Sequence, residues 1–185
     1  MSRSRRQVLF IQGGGAGAHD EWDVRLVDDL HRALGVKYEV RYPRMPAEAD
    51  PRVASWSAAI RREMAELDDR AVVVGHSVGG TILIHAIAEQ PPELELAAIV
   101  LVAAPFVGEG GWPGDQFELS GDLGAHLPHG TLVYVFHGLD DETAPPLHAD
   151  LYSRAIPQAR MHRLPGRDHQ LNDDLSEVAT AIRAL

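Results

Sequence analysis

Three runs of this chain are apolar at every position, Val8–Ile11, Ala71–Val74 and Ala97–Ala103, and a fourth, Thr131–Phe136, is nearly so. A strand with one face in water alternates polar and apolar residues. A strand without alternation is buried on both faces, the condition of a parallel sheet covered by helices. The intervening stretches have a different period. Asp23–Leu34 carries Val27, Leu30 and Leu34 at helical spacing and stops at Gly35, and Val53–Leu67 sets Val53, Trp56, Ile60, Met64 and Leu67 on one face. Ser77–Glu89 is apolar nearly all round, as a buried helix is, and Gln90-Pro91-Pro92 ends it. Tyr38–Tyr42 reads as the second strand, ended by Pro43, with Leu147–Ala155 as a helix and Arg160–Leu164 as a short strand. A last helix is predicted over Leu171–Leu185, where Leu171, Leu175, Val178, Ile182 and Leu185 step by 4, 3, 4 and 3. The expected fold is α/β: a doubly wound, mostly parallel sheet of about six strands, in one domain over residues 1–185 with no repeat or linker.

Composition removes several function classes. Asp and Glu number 27 against 17 Lys and Arg, a formal charge of −10, so a nucleic-acid partner is not expected. The chain has no Cys, which excludes disulfides, thiolate zinc sites and thiol nucleophiles. No apolar run approaches the roughly 18 residues that span a bilayer. Met1–Arg6 has the basic character of a signal-peptide start, but Val8–Ile11 is shorter than an h-region of about 7–15 residues. The segment reads as a solvated lead-in to the first strand of a cytoplasmic protein with no membrane partner.

The sharpest motif is Gly75-His76-Ser77-Val78-Gly79, placed between the Ala71–Val74 strand and the apolar helix. Gly-x-Ser-x-Gly in that context is a nucleophile elbow, in which a sharp turn lifts the Ser hydroxyl above the sheet and crowding keeps the flanking positions Gly. A Ser hydroxyl needs a base, and the base an orienting carboxylate. In this arrangement they follow in the order Ser, Asp or Glu, His, on loops after later strands. The Thr131–Phe136 strand leads into His137-Gly138-Leu139-Asp140-Asp141-Glu142; the spacing from Gly138 and to Pro145 favours Asp141 over Asp140 as the acid. His169, in the loop after Arg160–Leu164, is the candidate base, since His162 falls inside that strand. An oxyanion hole calls for two backbone N–H groups: Val78 after the nucleophile, and Gly14, or else Gly15, in the loop Gln12–Gly17. His76 and Gly15 border the candidate substrate site; His76 and His85 otherwise read as packing residues, and His137 as a brace for the acid loop.

The segment Pro105–Gly130 is rich in Gly, lacks a period, and is the one long insertion near the strand ends. Its Phe106, Trp112 and Phe117, with Leu119, either line an acyl pocket or anchor the loop to the core; anchoring is the simpler reading.

Rival readings are weaker. Gly13-Gly14-Gly15-Ala16-Gly17-Ala18 spells a dinucleotide-binding loop, but strand two ends Arg41-Tyr42-Pro43-Arg44, without the acidic residue such a site uses. A metal hydrolase would draw on His126-Leu127-Pro128-His129, where Pro128 spoils a helical ligand pair, and no His-Glu-x-x-His occurs. A non-catalytic binding module would leave the Ser, Asp and His set without a purpose.

These residues resemble the α/β-hydrolase superfamily, and within it the small lidless serine hydrolases, the group of YdeN and retinoblastoma-binding protein nine. The likeness rests on Gly13–Gly15 followed by Trp22, Met45-Pro46, Pro51 with Trp56, the Gly-His-Ser-x-Gly elbow, the acid loop and the late His. Two features depart from it: Gln12-Gly13 stands where many hydrolases have His-Gly, and Asp168 precedes the base where relatives often have Gly. The resemblance implies a hydrolase fold without a large cap domain. It also implies a serine hydrolase with Ser77, Asp141 and His169 as nucleophile, acid and base, but supplies no substrate. An open cleft without a large cap suits a small-molecule ester or acyl substrate, with thioesters and peptides as alternatives, and no cofactor or metal is expected.

Overall fold

The computed structural model describes residues 5–185; Met1–Ser4, most of the expected basic lead-in, lies outside them. Six strands, β1 (Arg6–Ile11), β2 (Tyr38–Arg41), β3 (Val72–His76), β4 (Ala98–Val102), β5 (Leu132–Gly138) and β6 (Arg160–Leu164), form one sheet in the order β2-β1-β3-β4-β5-β6. Every pairing is parallel. Five helices connect and follow them: α1 (Asp23–Leu34), α2 (Val53–Ala65), α3 (Val78–Glu89), α4 (Leu147–Ala155) and α5 (Ser176–Arg183).

The uninterrupted apolar strands account for two cores rather than one. Along β1, Leu9 and Ile11 face one side with Trp56 and Ile60 of α2, Ile82 and Ile87 of α3 and Tyr152 of α4. Val8 and Phe10 face the other side, with Leu26 and Leu30 of α1 and Val178 and Ile182 of α5. Each such side chain, fully buried, contributes about 1.5–3 kcal/mol. Among the described residues no helix is long and apolar enough to cross a membrane.

The chain leaves β2 at one edge and returns to β3 on the far side of β1, so the loops after β1 and β3 diverge. A crevice opens at such a reversal, at the carboxyl ends of the strands. Register aligns those ends: Ile11 pairs with Gly75, His76 with Val102, and Gly138 with Leu164.

The last helix departs from its expected span. Leu171–Asp173 is a separate short turn whose three residues all have φ between 48° and 56°, and α5 begins only at Ser176. Side chains outcompete helix here: Asp168 accepts the N–H groups of Gln170 and Asn172, and Asp29 accepts that of Leu175. Leu171 and Leu175 stay buried, so the apolar spacing is real although its first turn is not α-helical. The Pro105–Gly130 insertion also has more structure than its sequence suggests. Val107 bridges to Trp112, a short 3-10 turn spans Leu123–His126, and Phe106, Leu119, Leu123 and Leu127 are buried in the core.

Candidate active site

Ser77 is the single residue between β3 and α3, at φ 52° and ψ −135°. A side chain in that region costs about 1–3 kcal/mol of strain. A neighbouring strand and the first turn of α3 hold it there: its N–H donates to the Val102 carbonyl of β4 at 2.9 Å, and its carbonyl accepts the Gly80 N–H of α3 at 2.9 Å. The turn is tight enough that a Cβ on Gly75 would lie 2.4 Å from Gly80 Cα, and one on Gly79 would lie 1.8 Å from the Gln12 carbonyl oxygen. Gly79→Ala is therefore expected to cost more than about 3 kcal/mol, because the oxygen it strikes is backbone and cannot yield. Gly121→Ala, with nothing within 4 Å, should stay within about 0.5 kcal/mol. Denaturant midpoints check both; a stable Gly79→Ala protein would mean that the elbow is looser than described.

The three candidate residues meet. His169 Nε2 lies 2.9 Å from Ser77 Oγ, and its Nδ1 lies 2.8 Å from Asp141 Oδ2. The other Asp141 oxygen accepts the N–H groups of Thr143 and Ala144. Burial alone would push this carboxyl up; the hydrogen bonds from His169 and Ala144 outweigh it and hold Asp141 below its ordinary value. Asp140 is exposed and engages the base loop only through its N–H, which donates to the Arg167 carbonyl. His137 braces the acid loop by donating from Nε2 to the Ala144 carbonyl at 2.7 Å; its burial disfavours the charged form. Asp168 caps the base loop rather than touching the His169 ring.

The loop after β1 distributes its donors unequally. Gly13 N–H goes to Asp23 Oδ2 at 2.7 Å and Gly15 N–H to the Glu48 carbonyl at 2.7 Å. The Gly14 N–H has no acceptor among the described residues, and Gly14 packs so closely that a Cβ would lie 2.8 Å from Val78 Cγ1. Val78 opens α3, where a helix leaves its N–H groups free. Behind the loop, buried Gln12 donates to Glu48 and accepts from Met45 N–H, and Trp56 donates to the Pro46 carbonyl. The Met-Pro and Trp signals thus belong to the brace of this loop. Glu48 also accepts the Gly17 and His19 N–H groups, a role that its place in a polar turn did not reveal.

A cavity of about 160 Å³ adjoins Val78, lined by Pro51, Val53, Ile82, Val107, Pro113 and Phe117, among others. Of the aromatic candidates, only Phe117 lines it. Phe106 is 4% exposed, packed edge-on against Tyr152, and Trp112 stands edge-on to His148. His148, missed in the sequence, accepts the Phe106 N–H on Nδ1 and so ties the insertion to α4. His76 is buried, with both ring nitrogens occupied by Asp23 and the His169 carbonyl. A larger cavity, about 530 Å³, is lined by Arg61, Met64 and Pro91, among others, at the opposite end of α3, some 18 Å from Ser77 by the helix rise. Its lining contains no Ser, Thr or Lys.

Sheet order, elbow and crevice define an α/β hydrolase fold. The sequence profile of the serine hydrolase family matches residues 8–173, and the chain belongs to that family. No curated protein sequence matches it. Among solved structures it is similar to a predicted CIB-like hydrolase from Thermoplasma acidophilum, with 17% identity, a TM-score of 0.72, and coverage of 100% of this chain and 89% of that one. It is also similar to the ydeN gene product from B. subtilis, with 19% identity, a TM-score of 0.72, and coverage of 97% and 100%. The esterase domain of a Rhodothermus marinus protein matches with 22% identity, a TM-score of 0.66, and coverage of 99% and 88%. Likeness at these identities is likeness of fold.

Proposed function

We propose that this serine hydrolase cleaves carboxylic esters of short acyl chains through a Ser77–His169–Asp141 triad and an acyl-enzyme. The reading is carried by the unbroken hydrogen-bond chain from Ser77 Oγ through His169 to Asp141. His169 Nε2 takes the hydroxyl proton as Ser77 Oγ attacks the ester carbonyl. Val78 and Gly14 N–H groups stabilise the oxyanion, and loss of one such donor costs about 10²–10³ in rate. His169 then passes its proton to the leaving alcohol, and in the second half activates water to release the acid. Asp141 holds the imidazole in the tautomer that leaves Nε2 free to accept, and stabilises the imidazolium.

Chain length follows from the cavity beside Val78. The space is an open groove of about 160 Å³ with Asp115 and Gln116 beside its apolar wall. A cavity of about 150 Å³ holds a benzene molecule, so the groove suits acyl chains up to roughly six carbons. Turnover of nitrophenyl esters is expected to hold from acetate to hexanoate and to fall for decanoate. Phe117→Ala removes part of the wall and should move the optimum to longer chains. A profile unmoved by that substitution would mean that the acyl group lies elsewhere.

A fluorophosphonate probe tests the triad reading. It is expected to label the native protein once, with the added mass on the peptide containing Ser77. Intact protein that resists the probe, or carries the label on another residue, would overturn the assignment.

A further inference from the structure

Beneath Ser77 and His169 lies a second carboxylate–imidazole pair that the proposed reaction does not use. Asp23, the first residue of α1, and His76, the last of β3, are each 1% exposed. His76 Nδ1 lies 2.9 Å from Asp23 Oδ2, and His76 Nε2 lies 3.0 Å from the main-chain carbonyl of His169. A carbonyl only accepts, so Nε2 carries a hydrogen. The carboxylate on the other side takes a hydrogen from Nδ1, which makes the ring an imidazolium whose buried charge is paired. The same Asp23 oxygen accepts the Gly13 N–H at 2.7 Å, and the Gln170 amide approaches its other oxygen at 3.5 Å. Three chain segments far apart in sequence converge here: the loop that carries Gly14, the elbow, and the loop that carries His169.

We propose that Asp23 and His76 are positioning residues that set the base loop and the oxyanion loop in place around Ser77, with His76 acting on His169 through its carbonyl. The kinetic part rests on the ester-hydrolase reading; the protonation of the pair does not. Electrostatics agree with the geometry. Burial pushes the His76 imidazolium down, but the charge and hydrogen bond of Asp23 outweigh it and leave His76 above its ordinary value. Burial likewise opposes the Asp23 carboxylate, and His76 with the Gly13 N–H holds it below its own. The other titratable groups facing His76 are Asp141 and the His169 ring, whose centroid is 5.1 Å away.

Two substitutions separate positioning from support. In His76→Gln the amide replaces Nε2, keeping the bond to His169 and leaving Asp23 buried without its partner. In His76→Asn the amide replaces Nδ1, keeping Asp23 paired and releasing His169. The expected result is an inversion: His76→Gln melts lower yet turns over faster, while His76→Asn melts higher and loses kcat on the order of 10²-fold at constant KM, the cost of an ångström-scale misplacement. Turnover that falls in the same order as melting temperature would overturn the proposal. Should neither variant fold, ¹⁵N spectra of the native protein decide it. Both His76 ring nitrogens are expected to be protonated at about pH 7, where a free imidazole is mostly neutral; a neutral ring with one bare nitrogen would overturn it. A native protein that fails to react with the fluorophosphonate defeats the triad reading instead, and leaves the spectra to report on the pair.

Discussion

Replacing Ser77 with Ala is expected to lower ester turnover by about 10⁶, the loss seen when a triad nucleophile is removed, while the protein stays folded. The hydroxyl makes one side-chain contact, to His169 Nε2. The backbone bonds that hold residue 77, to Val102 and from Gly80, do not involve the hydroxyl. Ala at φ 52° inherits the strain that Ser bears. Ser77→Gly relieves it, because Gly occupies that region freely, and should gain about 1 kcal/mol of stability while being equally inactive. Activity and stability then point in opposite directions at one position, as expected where strain has been kept for chemistry. Steady-state hydrolysis and thermal melts measure both. Substantial turnover by either variant would remove Ser77 from the reaction.

Much of this arrangement was legible in the sequence because it rests on local rules. The apolar runs marked the four central strands, the polar edge strands β2 and β6 were read from the segments between turns and helices, and the turn-forcing glycines gave the elbow. Strand-end placement brought Ser77, Asp141 and His169 together without any contact being known. What was not legible depends on partners distant in the chain. Asp23 reads as an ordinary acidic residue at a helix start, which is favourable there without any partner; only the fold brings His76 and Gly13 against it. Glu48 sits in a polar turn, and nothing nearby announces that it fastens Gly17 and His19. The break at Leu171–Asp173 was hidden for the opposite reason. Its leucines keep helical spacing and remain buried, so hydrophobic period alone does not register that Asp168 and Asp29 have taken the backbone N–H groups a helix would use. In the insertion, Phe106 and Phe117 look alike in sequence. One is held in the core by the His148 bond to its own N–H, and the other borders the cavity beside Val78.

Asp141→Asn should reduce kcat by about 10⁴, and Asp140→Asn should leave it within about twofold. The asymmetry follows from where the amide must point. Thr143 and Ala144 direct their N–H groups at one Asp141 oxygen, 2.9 and 2.8 Å away. An Asn would turn its carbonyl oxygen toward those donors, and its NH₂ would face His169 Nδ1. The imidazole must then accept at Nδ1 and carry its hydrogen on Nε2, the tautomer that cannot take a proton from Ser77. The carboxylate also has a stability signature. Because Asp141 is held below its ordinary value when folded, it binds fewer protons in the native state than in the unfolded chain. Its contribution is fully present above the unfolded pKa of about 4 and is lost as pH falls through the lower folded value. Asp141→Asn should therefore flatten part of the acid limb of the melting-temperature profile. Equal kinetic losses in the two variants would assign the acid to the loop as a whole rather than to Asp141.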